Sequence, residues 1–198
     1  WTSKDRLRYT TQLFDILVQI LPEGMEGSVS TLPGSFKRFI TSEEEEKAIR
    51  ANLRECALYL EQLSAQSGHD LHLGLEPEPL GYFETSEETV AFFESLVQSY
   101  PKDKDVILRR LGVNYDTCHL AVEYEGAKGA FGRLQDAGIR ISKIHLSSAL
   151  KVADFSEETL KVLEGFCEPT YLHQVIAQSS DGSLERFEDL DLALAAKR

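Results

Sequence analysis

The sequence contains no apolar run approaching the ~20 residues that a membrane-spanning helix needs, which argues against membrane insertion. No basic, apolar leader opens it, which argues against secretion. Cysteine is scarce: Cys56, Cys118 and Cys167 are the only three in 198 residues. They are widely spaced, odd in number and without a CxxC pair, which excludes a disulfide framework and a cysteine-rich zinc site. Reduced thiols in a cytoplasmic protein are expected. Positive charge is also short, with 21 Lys and Arg against 33 Asp and Glu and a net charge of −12. No basic stripe is visible, so a nucleic-acid partner is not expected. There is no G-x-G-x-x-G after a strand, no Walker A loop and no G-x-S-x-G elbow, which removes dinucleotide-binding, P-loop and serine-hydrolase readings.

What is present is an ordinary globular composition, 42% hydrophobic and 27% charged, at a length that fits one domain. Two acidic concentrations, Glu43 to Glu46 and the cluster of Glu185, Glu188, Asp189 and Asp191, read as solvated faces near helix starts. Helical spacing of Leu13, Phe14, Leu17 and Ile20 predicts a helix over Thr2–Leu21, with Thr2 and Asp5 as a capping pair. Gly27–Leu32 predicts a strand. Ser42 to about Ser67 predicts a long helix closed by Gly68. Asp70–Glu76 alternates, with Leu71, Leu73 and Leu75 on one side and His72, Gly74 and Glu76 on the other.

Thr85 and Glu88 open a helix that runs to about Tyr100. Val113–Asp116 and Ile139–Ser147 are predicted strands, with a helix over Gly126–Ala137 between them. Ser156 caps a helix to about Phe166, and Thr170–Ala177 is the fifth predicted strand. Ser180-Asp181-Gly182 reads as a turn before a last helix from about Glu188. Strict alternation of helix and strand predicts a parallel α/β sheet.

Strand after strand ends in a side chain suited to chemistry: Glu76, Asp116, His145, His173. That repetition favours a (β/α) barrel, whose sites lie at the carboxyl ends of the strands. A full barrel has eight strands in about 250 residues, so the chain is expected to be one partial barrel domain, residues 1–198, cut at both ends. Glu76 and Glu78 frame a rigid Glu-Pro-Glu-Pro exit and could hold a cation or move a proton. Asp116 and His119, three residues apart, combine a carboxylate with an imidazole, which suits a divalent metal. His145 ends an apolar strand, with Lys143 on its face. His72 and His69 are expected in core packing and in a turn. The pair of serines after His145 is expected to be loop polarity.

In order, L-E-P-E-P (Leu75–Pro79), Y-D-x-C-H (Tyr115–His119), K-x-H-L-S-S-A-L (Lys143–Leu150) and Y-L-H-Q (Tyr171–Gln174) resemble the EboE-like metabolite-traffic family of the xylose-isomerase-like TIM-barrel superfamily. The stretch from Asp5 to Pro33 is similar as well, so the resemblance covers nearly the whole chain. It implies a TIM barrel and one divalent metal ion (Mn, Co, Zn or Mg) held by Glu76 or Glu78, by Asp116 and by His145. Strand alternation favours Glu76. The likeness of Glu78–Glu84 to the E-P-L-N-R-Y-E stretch of ketose epimerases favours Glu78. His119, Lys143 and His173 would meet the substrate. The final glutamate ligand of that superfamily has no counterpart after His173.

Three functions follow as expectations. The first is a metal-dependent sugar or sugar-phosphate isomerase or epimerase, with Glu76 or Glu78 moving a proton beside a polarised carbonyl. The second is a non-catalytic metabolite-binding protein working with the partner proteins of a small-molecule biosynthesis or export system. The third is a metal-dependent phosphodiesterase, which the negative charge disfavours for a DNA substrate.

Overall fold

In the computed structural model, Ser3 begins the first helix, α1 (Lys4–Ile20), its hydroxyl accepting from the Arg6 amide. The chain then enters β1 (Gly27–Thr31). The longest helix, α2 (Glu43–Ser67), has a complete capping box between Ser42 and Glu45. Its first turn carries four glutamates, favourably placed at the positive end of the helix dipole. Gly68 ends it at φ 77°, a conformation that suits glycine. β2 (Leu71–Leu75) follows, then α3 (Ser86–Ser99) capped by Thr85, α4 (Lys104–Arg110) and β3 (Leu111–Asp116). After α5 (Thr117–Val122) and α6 (Ala127–Asp136) comes β4 (Arg140–His145). The structure describes residues 1–196, and the chain divides into two units, Trp1–Ser147 and Ser148–Arg198.

In the first unit the four strands form one parallel sheet in the order β1-β2-β3-β4. Period-two alternation sends Leu71, Leu73 and Leu75 to one face, with Leu111, Val113 and Tyr115 on the same side. These side chains are buried in one apolar cluster with Phe14, Leu53 and Leu60 from α1 and α2, Phe93 and Leu96 from α3, and Leu134 from α6. The opposite face carries His72, Gly74, Gly112 and Asn114, all of them buried too.

The second unit is built differently. It contains α7 (Glu157–Glu164), the hairpin strands β5 (Val175–Gln178) and β6 (Leu184–Phe187), and α8 (Leu190–Ala196). β5 and β6 pair antiparallel and form a sheet of their own.

This corrects the expected TIM barrel. No eight-stranded closed sheet forms among the described residues; the parallel sheet has four strands, and the expected fifth strand is absent from it. Two local features account for the difference. The Thr170 and Tyr171 amides are taken by the Glu168 carboxylate and the His173 amide by Asp189, so those three donors are lost to a ladder. Then Gly182, at φ 85°, turns the chain back so that Leu184–Phe187 pairs with Val175–Gln178. No helix of the described residues is long and apolar enough to cross a membrane.

The β3–β4 register is irregular. Val113 is opposite Ile141, but Asn114 is opposite Lys143, so Ser142 is one residue extra on β4. Gly112 makes the close approach feasible: a Cβ there would lie 2.4 Å from Ser142 Oγ and 2.5 Å from the Arg140 carbonyl oxygen. At the amino ends of the strands, Arg140 Nη2 bonds both Glu26 and Asp70 at 2.9 Å. Arg110 bonds Asp70 at 2.7 Å and Glu61 at 2.7 Å. His72 lies among these charges, 1% exposed, with neither ring nitrogen hydrogen-bonded. Burial first, and the Arg140 cation second, push its imidazole down to about 4, with Glu26 opposing.

Gly112→Ala is expected to destabilise the protein by about 2 kcal/mol or more through that backbone collision. Gly132→Ala, on α6 with open space around it, should be neutral or stabilising by about 0.5–1 kcal/mol. Urea unfolding midpoints compare the two. A depressed histidine is neutral in both states above its ordinary value. As pH falls from about 6.5 towards about 4, only the unfolded chain takes the proton, so stability is lost over that window. His72→Leu should remove a loss on the order of 2–3 kcal/mol between those limits, read as the difference between the two stability–pH curves.

Candidate functional site

The site residues gather at the carboxyl ends of β2, β3 and β4. The Glu76 amide donates to the Thr31 carbonyl at 2.9 Å and continues the β1–β2 ladder one residue past the strand. Pro77 has no amide proton and stops it there. The Glu76 carboxylate therefore leaves the sheet on the same face as His72 and Gly74. It accepts from Asn114 Nδ2 at 2.5 Å through Oε2. Its Oε1 lies 3.4 Å from His119 Nδ1 and 3.6 Å from His145 Nδ1.

Asp116 ends β3 and is nearly buried. Its Oδ1 accepts from the Cys118 amide at 2.9 Å and from the Ser147 hydroxyl, and its Oδ2 is 3.6 Å from His145 Nδ1. Burial alone would raise this carboxyl, but the hydrogen bonds from Ser147 and Cys118 and the neighbouring His119 outweigh it and hold it below the usual range. Asp116 also begins α5, and its hydrogen bond to the Cys118 amide is an N-cap. One residue thus ends a strand, starts a helix and offers a free oxygen to the site.

Glu76, Asp116 and His145 each bring a ligand atom within 4.8 Å of the others, and so do Asp116, Cys118 and His119. Two carboxylates and an imidazole suit a divalent ion that accepts oxygen and nitrogen donors, such as manganese, cobalt, zinc or magnesium. His119 Nδ1 is buried and, despite its nearness to Glu76, makes no aligned hydrogen bond. A donor left unpaired beside two carboxylates is consistent with the same kind of guest.

Glu78 lies outside both groups. Burial and then the charge of Glu76 push its carboxyl up to about 7. Its loop is held firmly: the Leu80 amide donates to Glu84 at 2.8 Å, the Lys37 amide donates to the Leu80 carbonyl at 2.8 Å, and Lys37 Nζ bonds Glu84 at 2.6 Å. Leu80 accepts the left-handed conformation, φ 63°, inside this frame. Gly81 packs so closely that a Cβ would meet Pro33 Cγ at 2.4 Å.

Lys143 is half-buried on the face of Asn114. His173 belongs to the second unit, where its amide bonds Asp189 at 3.0 Å, and it is in neither metal-competent group. His69 Nδ1 donates to the Met25 carbonyl at 3.0 Å, in a turn.

Two contributors were not singled out from sequence. Asn114, 0% exposed, touches both Glu76 and His145 Nδ1, the latter at 3.2 Å. Its signal was available: it is two residues before Asp116 and so on the same face of the strand. Ser147, expected to be loop polarity, instead fixes Asp116, and is itself tied to Thr117 by hydrogen bonds at 2.7 and 2.9 Å. Nothing local in the sequence marks that role.

No protein-family model and no curated protein matches this chain.

Glu76→Gln should weaken binding of manganese or zinc by about tenfold or more, and Ser147→Ala by about tenfold through a misaligned Asp116. Glu78→Gln should leave metal affinity within about threefold. Calorimetric titration of the metal into each purified variant measures the order; a larger effect at Glu78 than at Glu76 would reverse the assignment.

Proposed function

We propose that the protein is a metal-dependent isomerase or epimerase acting on a small sugar or sugar phosphate, related to the EboE-like metabolite-traffic family of the xylose-isomerase-like superfamily. The observation that carries this reading is the convergence of Glu76, Asp116 and His145 at the carboxyl ends of three adjacent parallel strands. Ligands of α/β proteins bind at that end of the sheet.

A divalent ion bound there would act as a Lewis acid on a substrate carbonyl. Glu76, Asp116 and His145 are the residues to hold it. Asn114 keeps the Glu76 carboxylate turned towards the site, and Ser147 does the same for Asp116. Glu78 is the nearby carboxylate that the metal-competent groups leave free, and it is the group assigned to take the proton from the carbon beside the carbonyl and return it. Its rigid loop supports that role, because proton transfer depends on a fixed approach. His119, beside Glu76, is assigned to orient a substrate hydroxyl.

Solvent deuterium is the direct test. Protein loaded with manganese or zinc should incorporate deuterium from D₂O into the carbon beside the carbonyl of its substrate, read by NMR or mass spectrometry. Glu78→Gln should lower that exchange about a hundredfold or more while retaining bound metal. A metabolite that binds tightly and leaves unexchanged would make the protein a carrier instead of an isomerase.

A further inference from the structure

Helix α1 carries more apolar surface than the fold uses. Leu7, Thr10 and Phe14 are buried in the core. A second flank meets α2, where Lys4 bonds Glu55 and Asp15 accepts from the Tyr59 hydroxyl. Tyr9, Leu13, Ile16 and Ile20 belong to neither face. Their spacing, i, i+4, i+7 and i+11, gathers them within an arc of about 60° on the helix circumference. That arc points away from both Phe14 and Lys4. Tyr9, Ile16 and Ile20 are 54%, 57% and 70% exposed.

Single exposed apolar residues are ordinary. Four in register along a 17-residue helix make a narrow seam of the kind that joins two helices. The flanking charges say what fits it. The first two turns carry Lys4, Arg6 and Arg8 against one acid, Asp5. From Leu13 to Glu26 the only charges are acidic: Asp15, Glu23 and Glu26. Basic at its start and acidic past its end, the seam complements itself when reversed.

The register supports the same reading. An antiparallel pairing centred between Leu13 and Ile16 sets Tyr9 opposite Ile20 of a second copy, and Leu13 opposite Ile16. The same centre sets Arg6 opposite Glu23. Neither of these two side chains has an ion pair with any described residue; the Arg6 guanidinium lies 5.9 Å from the Tyr9 ring centre, beside the seam. Antiparallel helix dipoles add to the fit. An anionic membrane surface would instead repel the acidic end of the stripe.

We infer that a second copy of this chain docks antiparallel along α1, with Tyr9, Leu13, Ile16 and Ile20 as an isologous seam and Arg6 paired with Glu23 across it. A two-fold contact of this kind uses one patch twice. The net charge of −12 opposes the approach of two copies, and the apolar seam has to outweigh it. One helix pair lies at the small end of specific interfaces, so a dissociation constant in the micromolar range is expected. Reversed axes point the two candidate sites in opposite directions, so metal binding does not depend on the contact.

Sedimentation velocity of the full chain over a concentration series, at physiological salt, is the test. A monomer–dimer equilibrium is expected. Ile16→Glu and Ile20→Glu, both at exposed positions, should each weaken it by about tenfold or more, because each buries an unpaired charge in the seam. Their urea midpoints and manganese affinities should match the parent, which separates a lost contact from a lost fold. Arg6→Glu and Glu23→Arg should each weaken the dimer by about threefold or more, and the two together should restore it. A monomer at every concentration, a dimer indifferent to both isoleucine substitutions, or a double charge swap no better than its single parents would overturn the inference. So would binding to phosphatidylserine-containing vesicles, lost in Ile16→Glu, without self-association.

Discussion

The parallel hydrogen bonding of β2 to β3 and β3 to β4 is the constraint on which the site depends. Each strand alone presents one polar terminal side chain. The ladder sets their heights: Gly74 pairs with Gly112 and Asp116 with His145, and Asn114 comes within hydrogen-bond reach of Glu76. Groups separated by 30 or 40 positions in sequence thereby share one small volume. The pairing is held from both ends. Leucines on the helix side are buried, and the arginine–carboxylate contacts at the amino ends join β1, β2, β3 and β4 through Glu26, Asp70, Arg110 and Arg140.

The other face of the sheet is the less stable half of the design. A face lined with aliphatic side chains would gain about 25 cal/mol per Å² buried; this one instead buries His72, Asn114 and the Ser142 hydroxyl, with several polar atoms unpaired. Such groups cost free energy unless something completes them. That cost falls where the metal-competent side chains gather. Asn114 binds Glu76 and borders His145, and the bulge at Ser142 turns both Lys143 and His145 towards the polar face. The leucine face holds the sheet together while the polar face carries the metal-competent side chains.

Much of this was legible in the sequence. The alternation of Leu71, Leu73 and Leu75 with His72, Gly74 and Glu76 gave β2 its two faces. Ser42 and Gly68 marked both ends of α2, and the rigid prolines after Glu76 marked the strand exit. The strand-end residues Glu76, Asp116 and His145 were visible as a series. The closed barrel was not correct, because a rule of alternation counts strands without saying which ones pair. Thr170–Ala177 looked like a fifth parallel strand, yet Glu168 and Asp189 occupy its first amides and the turn at Gly182 gives its end an antiparallel partner. His173 went with it into the second unit.

By itself the sequence determined the elements that depend on neighbours: capped helices, alternating strands, glycine-closed ends, and the kinds of side chain at each strand's end. Those follow from backbone sterics and short-range hydrogen bonds, which act over a few residues. Only the tertiary structure decided what depends on register. It brought Glu76, Asp116 and His145 together and left Glu78 outside the metal-competent groups. It gave Ser147 to Asp116, and it turned Lys143 and His145 to the polar face through a single extra residue. The physical reason is that a strand's own sequence fixes its period, while the height and parity of each side chain are set by the neighbouring strand to which it bonds.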